Sequence, residues 1–396
     1  MTKQKTIHLF NVHSHITYLL ACAVIRHRNI DLKNVVFLLK SDYVLPRNPI
    51  NVRMFVIPNE WFLFSFYYAY DYARIRKNLV ELARFINQIT EEQEYVWYPP
   101  HTNMPYQKVI ASFERCLNYC VIEEGFFIHP DINKLTYPLP PYNSKLMNLC
   151  NENRLLFLDS HFICTNHPKY DCTFVSFKQN IPEIKNQVVL SDVFSKVDVP
   201  QLESTDAVLL FDKLAKVLRG GYDTHNKTLE WLIRTRFRRL EYKNIAYRLR
   251  LRDNSDESNQ GIMEVFKQFP EMNFSPIDDS VVMENAIYSY DLPYYFLTTS
   301  LGFYAGVMGR SVYSFAPTYW TLEPNYRYFL EHLKISLESF QKRCIKLLPA
   351  ELEDGMPIPF VHDSIMKIIR RKGMKYAKKF IPLSILAKLQ EMMPHF

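Results

Sequence analysis

Short apolar runs alternate with segments whose apolar positions recur at helical spacing through the first third of the chain. "KTIHLFNV" (5–12) predicts a strand, "TYLLACAVIRHR" (17–28) a helix, and "NVVFLLK" and "VRMFVIP" the next two strands. The aromatic stretch from Trp61 to Ile89 has helical periodicity. "EYVWYPP" (94–100) then predicts a strand, "PYQKVIASFERCLN" (105–118) a helix, and "YCVIEE" a strand that ends on two carboxylates. Strand, helix and strand in repetition argue for a parallel sheet covered on both faces.

Between 128 and 185 the pattern is less regular, with the Pro-rich "YPLPPYNS" (137–144) as a loop, and "QVVLSDVFSKVDVPQLES" (187–204) runs from a strand into a polar linker. A second alternating series follows. "DAVLLFDKL" (206–214) predicts a strand, "NKTLEWLIRTRFRR" (226–239) a helix, "NIAYRLRLRD" (244–253) a strand and "GIMEVFKQF" (261–269) a helix. "ENAIYSY" (284–290) and "YYFLTTS" (294–300) predict strands, "LGFYAGVMG" (301–309) a helix, "SVYSFAP" (311–317) a strand, and a helix is expected over about 325–346. The expected organisation is an N-terminal domain over 1–195, a C-terminal domain over 205–360 and a tail over 361–396. Both domains are α/β, and no repeat of solenoid length is present.

A composition of 48% hydrophobic and 22% charged residues is that of a globular protein. The N-terminal "MTKQKTIHLFNVHSHI" lacks the layout of a signal peptide, and no apolar run has the length of a spanning helix, so a cytoplasmic location is expected. Seven Cys, an odd number and mostly within apolar segments, fit a reducing compartment. Cys116 and Cys120 have helix-like spacing, but no partner pair completes a zinc signature, so no metal site is expected. The formal charge of +7 is matched by "KIIRRKGMKYAKK" (367–379), which carries seven basic residues and no acid. The rest is near neutral, which argues against nucleic acid as a partner. No GxGxxG or GxxxxGK[ST] motif is present, which argues against dinucleotide enzymes and P-loop ATPases.

In open parallel sheets ligands sit beyond the carboxyl ends of the strands. Three predicted strand ends of the first domain carry polar residues: His13-Ser14-His15, Pro100-His101-Thr102-Asn103 and Glu123-Glu124-Gly125. A strand-end carboxylate can take a proton from a hydroxyl nucleophile. In the second domain, Thr298, Thr299 and Ser300 precede a helix that contains Gly302 and Gly306. Hydroxyls and free N–H groups converging there suit a phosphate; the plainer reading is a capped helix packed through its glycines.

The acidic pair followed by Gly (Glu123-Glu124-Gly125), the later "FKQFP" (266–270) and the Thr298-Thr299-Ser300 cluster before a small-residue helix resemble, in order and spread, the bacterial sialyltransferases of the lipooligosaccharide and capsular polysialic acid types. The resemblance spans about residues 5–320. It implies a GT-B fold, in which two Rossmann-like domains face each other across a cleft. It also implies a metal-independent, inverting transfer, with no cofactor, from a CMP-activated sialic or related nonulosonic acid. Carried over, Glu123 is the expected base, with Glu124 tuning it or binding acceptor, and Thr298, Thr299 and Ser300 hold the CMP phosphate. Where the family has His-Pro, this chain has Phe269-Pro270, with Lys267 two residues earlier as a source of positive charge. That replacement leaves open a UDP- or GDP-hexose donor, or a non-enzymatic capsule-assembly binding protein. His129-Pro130 and His167-Pro168 read as turns. His13 and His15 are candidates for acceptor contact, as are Asn103 and Gln107, and Asp212 and Lys213 hold the equivalent strand end on the donor side.

The tail mixes Lys and Arg with Ile, Leu, Met and Phe. Such a helix suits peripheral contact with anionic lipid of the inner membrane through 365–396, or packing back on the body. The expected partners are thus a nucleotide-sugar donor, a glycan or glycolipid acceptor and the cytoplasmic membrane face.

Overall fold

A computed structural model describes residues 6–41, 43–57, 72–102, 105–125, 165–178, 186–211, 221–249, 256–297, 299–315 and 345–348. The predicted helix over 325–346 lies almost wholly outside them, and the basic tail lies entirely outside them. The chain forms two compact units, one of Met1–Val197 with Ser280–Ser289, the other of Asp198–Asp279 with Tyr290–Phe396.

The first unit contains β1 (Ile7–Val12), α1 (His15–His27), β2 (Val35–Lys40), β3 (Arg53–Ile57), α2 (Tyr72–Ile89), β4 (Tyr95–Tyr98), α3 (Pro105–Ser112), β5 (Cys116–Ile122), β6 (Tyr170–Val175) and β7 (Gln187–Val189). Among the described residues its seven strands run in the order β3-β2-β1-β4-β5-β6-β7, and every pairing is parallel. Almost every residue of β1, β2, β4 and β5 is buried, which is why their sequences are continuous apolar runs instead of alternating ones. On one side Leu9, Trp97, Tyr119 and Val121 pack with Leu82 and Ile86 of α2 and with Ile110 of α3. Helix α1 lies against β1, β5 and β6. Ser14 starts it with a reciprocal capping box to Thr17, and Arg26 and His27 sit in its last turn, where the helix dipole favours positive charge.

Two elements differ from the periodicity. Cys116 opens β5, so Cys116 and Cys120 lie on a strand, and helix α3 stops at Ser112. "ENAIYSY" is helical, as α7 below; its residues 283–287 are all buried, so no polar face betrays its period.

The second unit contains α4 (Pro200–Glu203), β8 (Ala207–Leu210), α5 (Gly221–Leu232) continued by a π-helical turn (Ile233–Phe237), β9 (Asn244–Arg248), α6 (Asp256–Lys267) and β10 (Asn273–Pro276). The chain then makes α7 (Met283–Ser289), which belongs to the first unit, and continues through β11 (Tyr294–Phe296), α8 (Ser300–Val307), β12 (Val312–Ser314) and β13 (Lys346–Leu347). Its parallel sheet has the order β10-β9-β8-β11-β12-β13. The return of α7 is pinned in the first unit by side chains: Asn285 Oδ1 accepts from Ser195 N at 3.1 Å, and Ser289 Oγ accepts from Val197 N at 2.8 Å.

Candidate active site

In each sheet the strand order reverses beside the first strand, between β1 and β4 in one unit and between β8 and β11 in the other. Loops leaving two such strands diverge to opposite faces, opening a crevice at their carboxyl ends. Three side chains meet at this point in the first unit. His13 follows β1, His101 follows β4 and Glu124 follows β5, three strands that are neighbours in space. His13 Nε2 lies 3.0 Å from Glu124 Oε2, and His101 Nε2 lies 3.9 Å from Glu124 Oε1. The side chain of Glu124 is 6% exposed and that of His13 21%. Oε1 of Glu124 is buried without a hydrogen-bond partner among the described residues.

Burial pushes the Glu124 carboxyl upward, but in the acid range where the carboxyl titrates the nearby His101 and the hydrogen bond and charge of the His13 imidazole outweigh it and hold the pKa below the usual carboxylate value. Burial acts on His101 in the opposite sense: it lowers the imidazole to about 4, against a weaker upward pull from Glu124. His101 is therefore neutral at neutral pH, while Glu124 is charged.

Glu123 has another occupation. Its Oε2 accepts the main-chain N–H of Ser176 at 2.6 Å, and the Ser176 hydroxyl donates to both carboxylate oxygens at 2.9 Å. Ser176 follows β6, on the far side of β5 from β4. Successive side chains of an extended chain point to opposite faces, so the adjacent acids serve different neighbours. The Glu124 carboxyl is acted on by burial, His101 and His13.

Other predicted residues divide. His15 turns away from His13, with Nε2 3.3 Å from Val44 O and its ring edge-on to Tyr43. Gln107 is buried and donates to Tyr106 Oη at 3.3 Å, and the same oxygen accepts from Asn11 at 2.6 Å. Asn103, Thr298, Asp212, Lys213 and His129-Pro130 lie outside the described residues. His167 stands in the turn before β6, where Nδ1 accepts from Lys169 N at 3.1 Å.

In the second unit Thr299 is the N-cap of α8, accepting from Leu301 N at 3.4 Å, and Ser300 is its first residue, at the carboxyl end of β11. Gly302 lets α8 lie against the sheet: a Cβ there would stand 2.4 Å from the ring of Phe296. The 266–270 segment is elsewhere. It joins the end of α6 to the start of β10, on the edge from which the strands begin. Phe269 is fully buried, with the guanidinium carbons of Arg234 and Arg238 at 5.1 and 5.0 Å from its ring centroid, while Lys267 and Pro270 are exposed. Lys267, Phe269 and Pro270 thus do not share an edge with Thr299 and Ser300, and Phe269 is a packing residue.

Periodicity placed His101 at a strand end without distinguishing it from its neighbours, and Ser176 carried no signal at all; both depend on which strands are adjacent.

Two parallel α/β units, each with a reversal of strand order beside its first strand, define the class: the fold is GT-B. The comparison that carries this is with the GT-B domain of a sialyltransferase from Photobacterium damselae, with a TM-score of 0.50 at 9% identity over 86% of this chain and 99% of that one. The UDP-GlcNAc 2-epimerase from Neisseria meningitidis, solved with UDP-GlcNAc, matches at a TM-score of 0.44 and 9% identity over 92% of this chain and 100% of that one. No protein-family model matches the chain, and no curated protein matches it by sequence.

Proposed function

We propose that the chain is a glycosyltransferase that moves a sugar from a nucleotide donor to an acceptor hydroxyl, with the acceptor proton taken up by the His13–Glu124 pair. The observation that carries this is the 3.0 Å contact between a buried carboxylate and a more exposed imidazole at the crevice of the first unit. A base must come within hydrogen-bond reach of the proton it removes. His13 is the exposed member and meets the hydroxyl; Glu124 holds the ring and stabilises the imidazolium as it forms. His101, neutral, adds no opposing charge when that proton arrives. As the acceptor oxygen bonds to the anomeric carbon, the bond from that carbon to the donor phosphate breaks and the nucleotide leaves with the electron pair. In the second unit, taken by itself, the hydroxyls of Thr299 and Ser300 and the N-terminus of α8 suit a phosphate group.

For the donor we favour a CMP-activated sialic or related nonulosonic acid, on the resemblance carried by the acidic pair and the Thr-Ser turn. The acceptor is then a cell-surface glycan such as a lipooligosaccharide or capsule. The basic segment 365–396 draws the enzyme to anionic lipid on the inner membrane face. No helix of the described residues is long and apolar enough to cross a membrane. Deleting 365–396 tests the tail: liposome binding should fall while transfer to a soluble acceptor persists, and unchanged binding rejects that role.

A thermal-shift panel of CMP, UDP, GDP and NAD tests the donor, since a ligand of the native state raises the melting temperature. Stabilisation by CMP, with CMP released from a CMP-sugar in the presence of acceptor, supports the reading. Stabilisation by UDP or GDP alone overturns the donor, and stabilisation by none, with no transfer, overturns the function. His13→Gln should remove transfer and leave nucleotide stabilisation intact.

A further inference from the structure

A second cluster of reactive side chains lies between β5 and β6, on the strands that α1 covers, away from the His13–Glu124 pair. Cys120 of β5 and Asp171 and Cys172 of β6 bring two sulfurs and a carboxylate oxygen within 4.8 Å of one another. Their convergence has a backbone cause. Tyr119 pairs with Tyr170 and Val121 with Thr173, so the single residue Cys120 stands opposite two residues, Asp171 and Cys172. In a regular strand those two side chains would point to opposite faces; the bulge turns both toward Cys120.

We propose that this cluster binds one soft divalent cation, zinc, through Cys120 Sγ, Cys172 Sγ and a carboxylate oxygen of Asp171, with water completing the tetrahedron. Asp171 Oδ2 lies 3.3 Å from Cys120 Sγ and 3.9 Å from Cys172 Sγ. Ligands at zinc–sulfur and zinc–oxygen bond lengths are about 3.5 Å apart across a tetrahedral angle, so the donor atoms already span the edges of such a site. Two thiols and a carboxylate select zinc over the hard cations, which take oxygen ligands alone. Both cysteines are buried, whereas the side chain of Asp171 is 42% exposed and leaves an entry path for the ion and its water.

Arg28, just past the end of α1, donates to Asp171 Oδ2 at 2.7 Å and to Cys172 Sγ at 3.4 Å. Its positive charge does not close the site. Two thiols shed their protons as a dication enters, so the cluster carries the same net charge before and after binding, and Asp171 remains matched by Arg28. The guanidinium then orients the ligating carboxylate from outside, as hydrogen-bond partners of metal ligands do. The ion would tie β5 to β6 four residues upstream of Glu124. The site is independent of the proposed transfer, and its test does not read activity.

The test uses the full chain, reduced and stripped with a chelator, and cobalt(II) alone as the probe. One equivalent should bind with sulfur-to-cobalt absorption in the near ultraviolet and the visible bands of tetrahedral cobalt, both bleached by zinc. The bands should be lost in Cys172→Ser and kept in Cys22→Ser, whose thiol is buried in α1 outside the cluster. Because Cys172→Ser could fail to fold, X-ray absorption at the zinc edge is measured on the unmodified chain. The expected shell has sulfur at about 2.3 Å and oxygen at about 2.0 Å. A shell without sulfur, absence of the near-ultraviolet band, or bands that survive in Cys172→Ser would overturn the site.

Discussion

Exchanging each of the adjacent acids for its amide should give opposite phenotypes, because their partners differ. Glu123→Gln weakens the bonds from Ser176 N and Oγ, now at 2.6 and 2.9 Å. A hydrogen bond to a charged group is worth about 1.5–3 kcal/mol. Gln keeps one acceptor oxygen, and the Ser hydroxyl can rotate to accept from the new amide, so the net loss should be about 1–3 kcal/mol. For units of this size each kcal/mol moves the melting temperature by about 2–4 °C. Transfer by the folded fraction should be close to normal. Glu124→Gln keeps an oxygen that can accept from His13 Nε2 at the present 3.0 Å, so the ring stays oriented. What vanishes is the negative charge opposite a forming imidazolium, and general-base assistance is worth about 10²–10⁴-fold, or about 3–5 kcal/mol of barrier. His13→Gln should lose a similar factor, and the double variant little more, since the two groups act as one unit. The assay is CMP release from a CMP-sugar with acceptor, paired with thermal unfolding by circular dichroism. If Glu123→Gln loses transfer by 10²-fold while Glu124→Gln stays active, the assignment of roles from burial and distance is wrong.

Acidification should destabilise the first unit in two stacked windows. The folded pKa of His101, about 4, lies below its ordinary 6.5, so the unfolded chain binds the proton first and stability falls from pH 6.5 toward 4. The total is about 3 kcal/mol. Glu124, also depressed, adds a loss below its ordinary 4.5. His101→Gln should flatten the upper window in a pH series of denaturant melts, and an unchanged slope would reject burial as the cause. Gly302→Ala places a Cβ 2.4 Å from the buried Phe296 ring and should cost about 1–3 kcal/mol of overpacking; a neutral melting temperature would show that α8 can shift freely. Phe269→His, which restores the residue type of the resembling family, should destabilise without raising transfer, because the position is buried beneath Arg234 and Arg238; a gain in rate would move the donor to the edge of the sheet opposite Thr299 and Ser300 and refute the reasoning.

The two alternating series, the acidic strand end and the Thr-Ser turn were legible because each depends on a short stretch of chain. An unbroken apolar run from Tyr119 to Ile122 reads as a strand whatever surrounds it, and Thr299 before "SLGFYAGV" reads as a helix start. What was not legible depends on neighbours. Cys116 and Cys120 have helical spacing in isolation, yet the chain turns at Phe113, whose carbonyl accepts from Cys116 N at 3.0 Å, and β5 begins there. "ENAIYSY" looks extended, yet Asn285 and Ser289 are taken up by Ser195 and Val197, and the segment coils to bring both to one side. Which acid faces the crevice follows from Ser176 and His13, residues 53 and 111 positions from the acids they contact.

The sheet order explains why a buried charge can persist at this point. His13, His101 and Glu124 come from strand ends far apart in sequence, and only the order β1-β4-β5 makes them neighbours. A carboxylate withdrawn from water costs several kcal/mol unless its lone pairs are matched. At Glu124 one oxygen is matched by His13, and the other, beside a neutral His101, has no hydrogen-bond partner among the described residues. Glu123, one residue earlier on the same strand end, has both oxygens engaged. The fold is able to satisfy an acid here completely and does so at the neighbour, so the open acceptor at Glu124 is a local feature and not a failure of packing. Open buried acceptors of this kind concentrate where a site must exchange a proton or receive a ligand, which favours Glu124 over Glu123 for the role beside His13 proposed above.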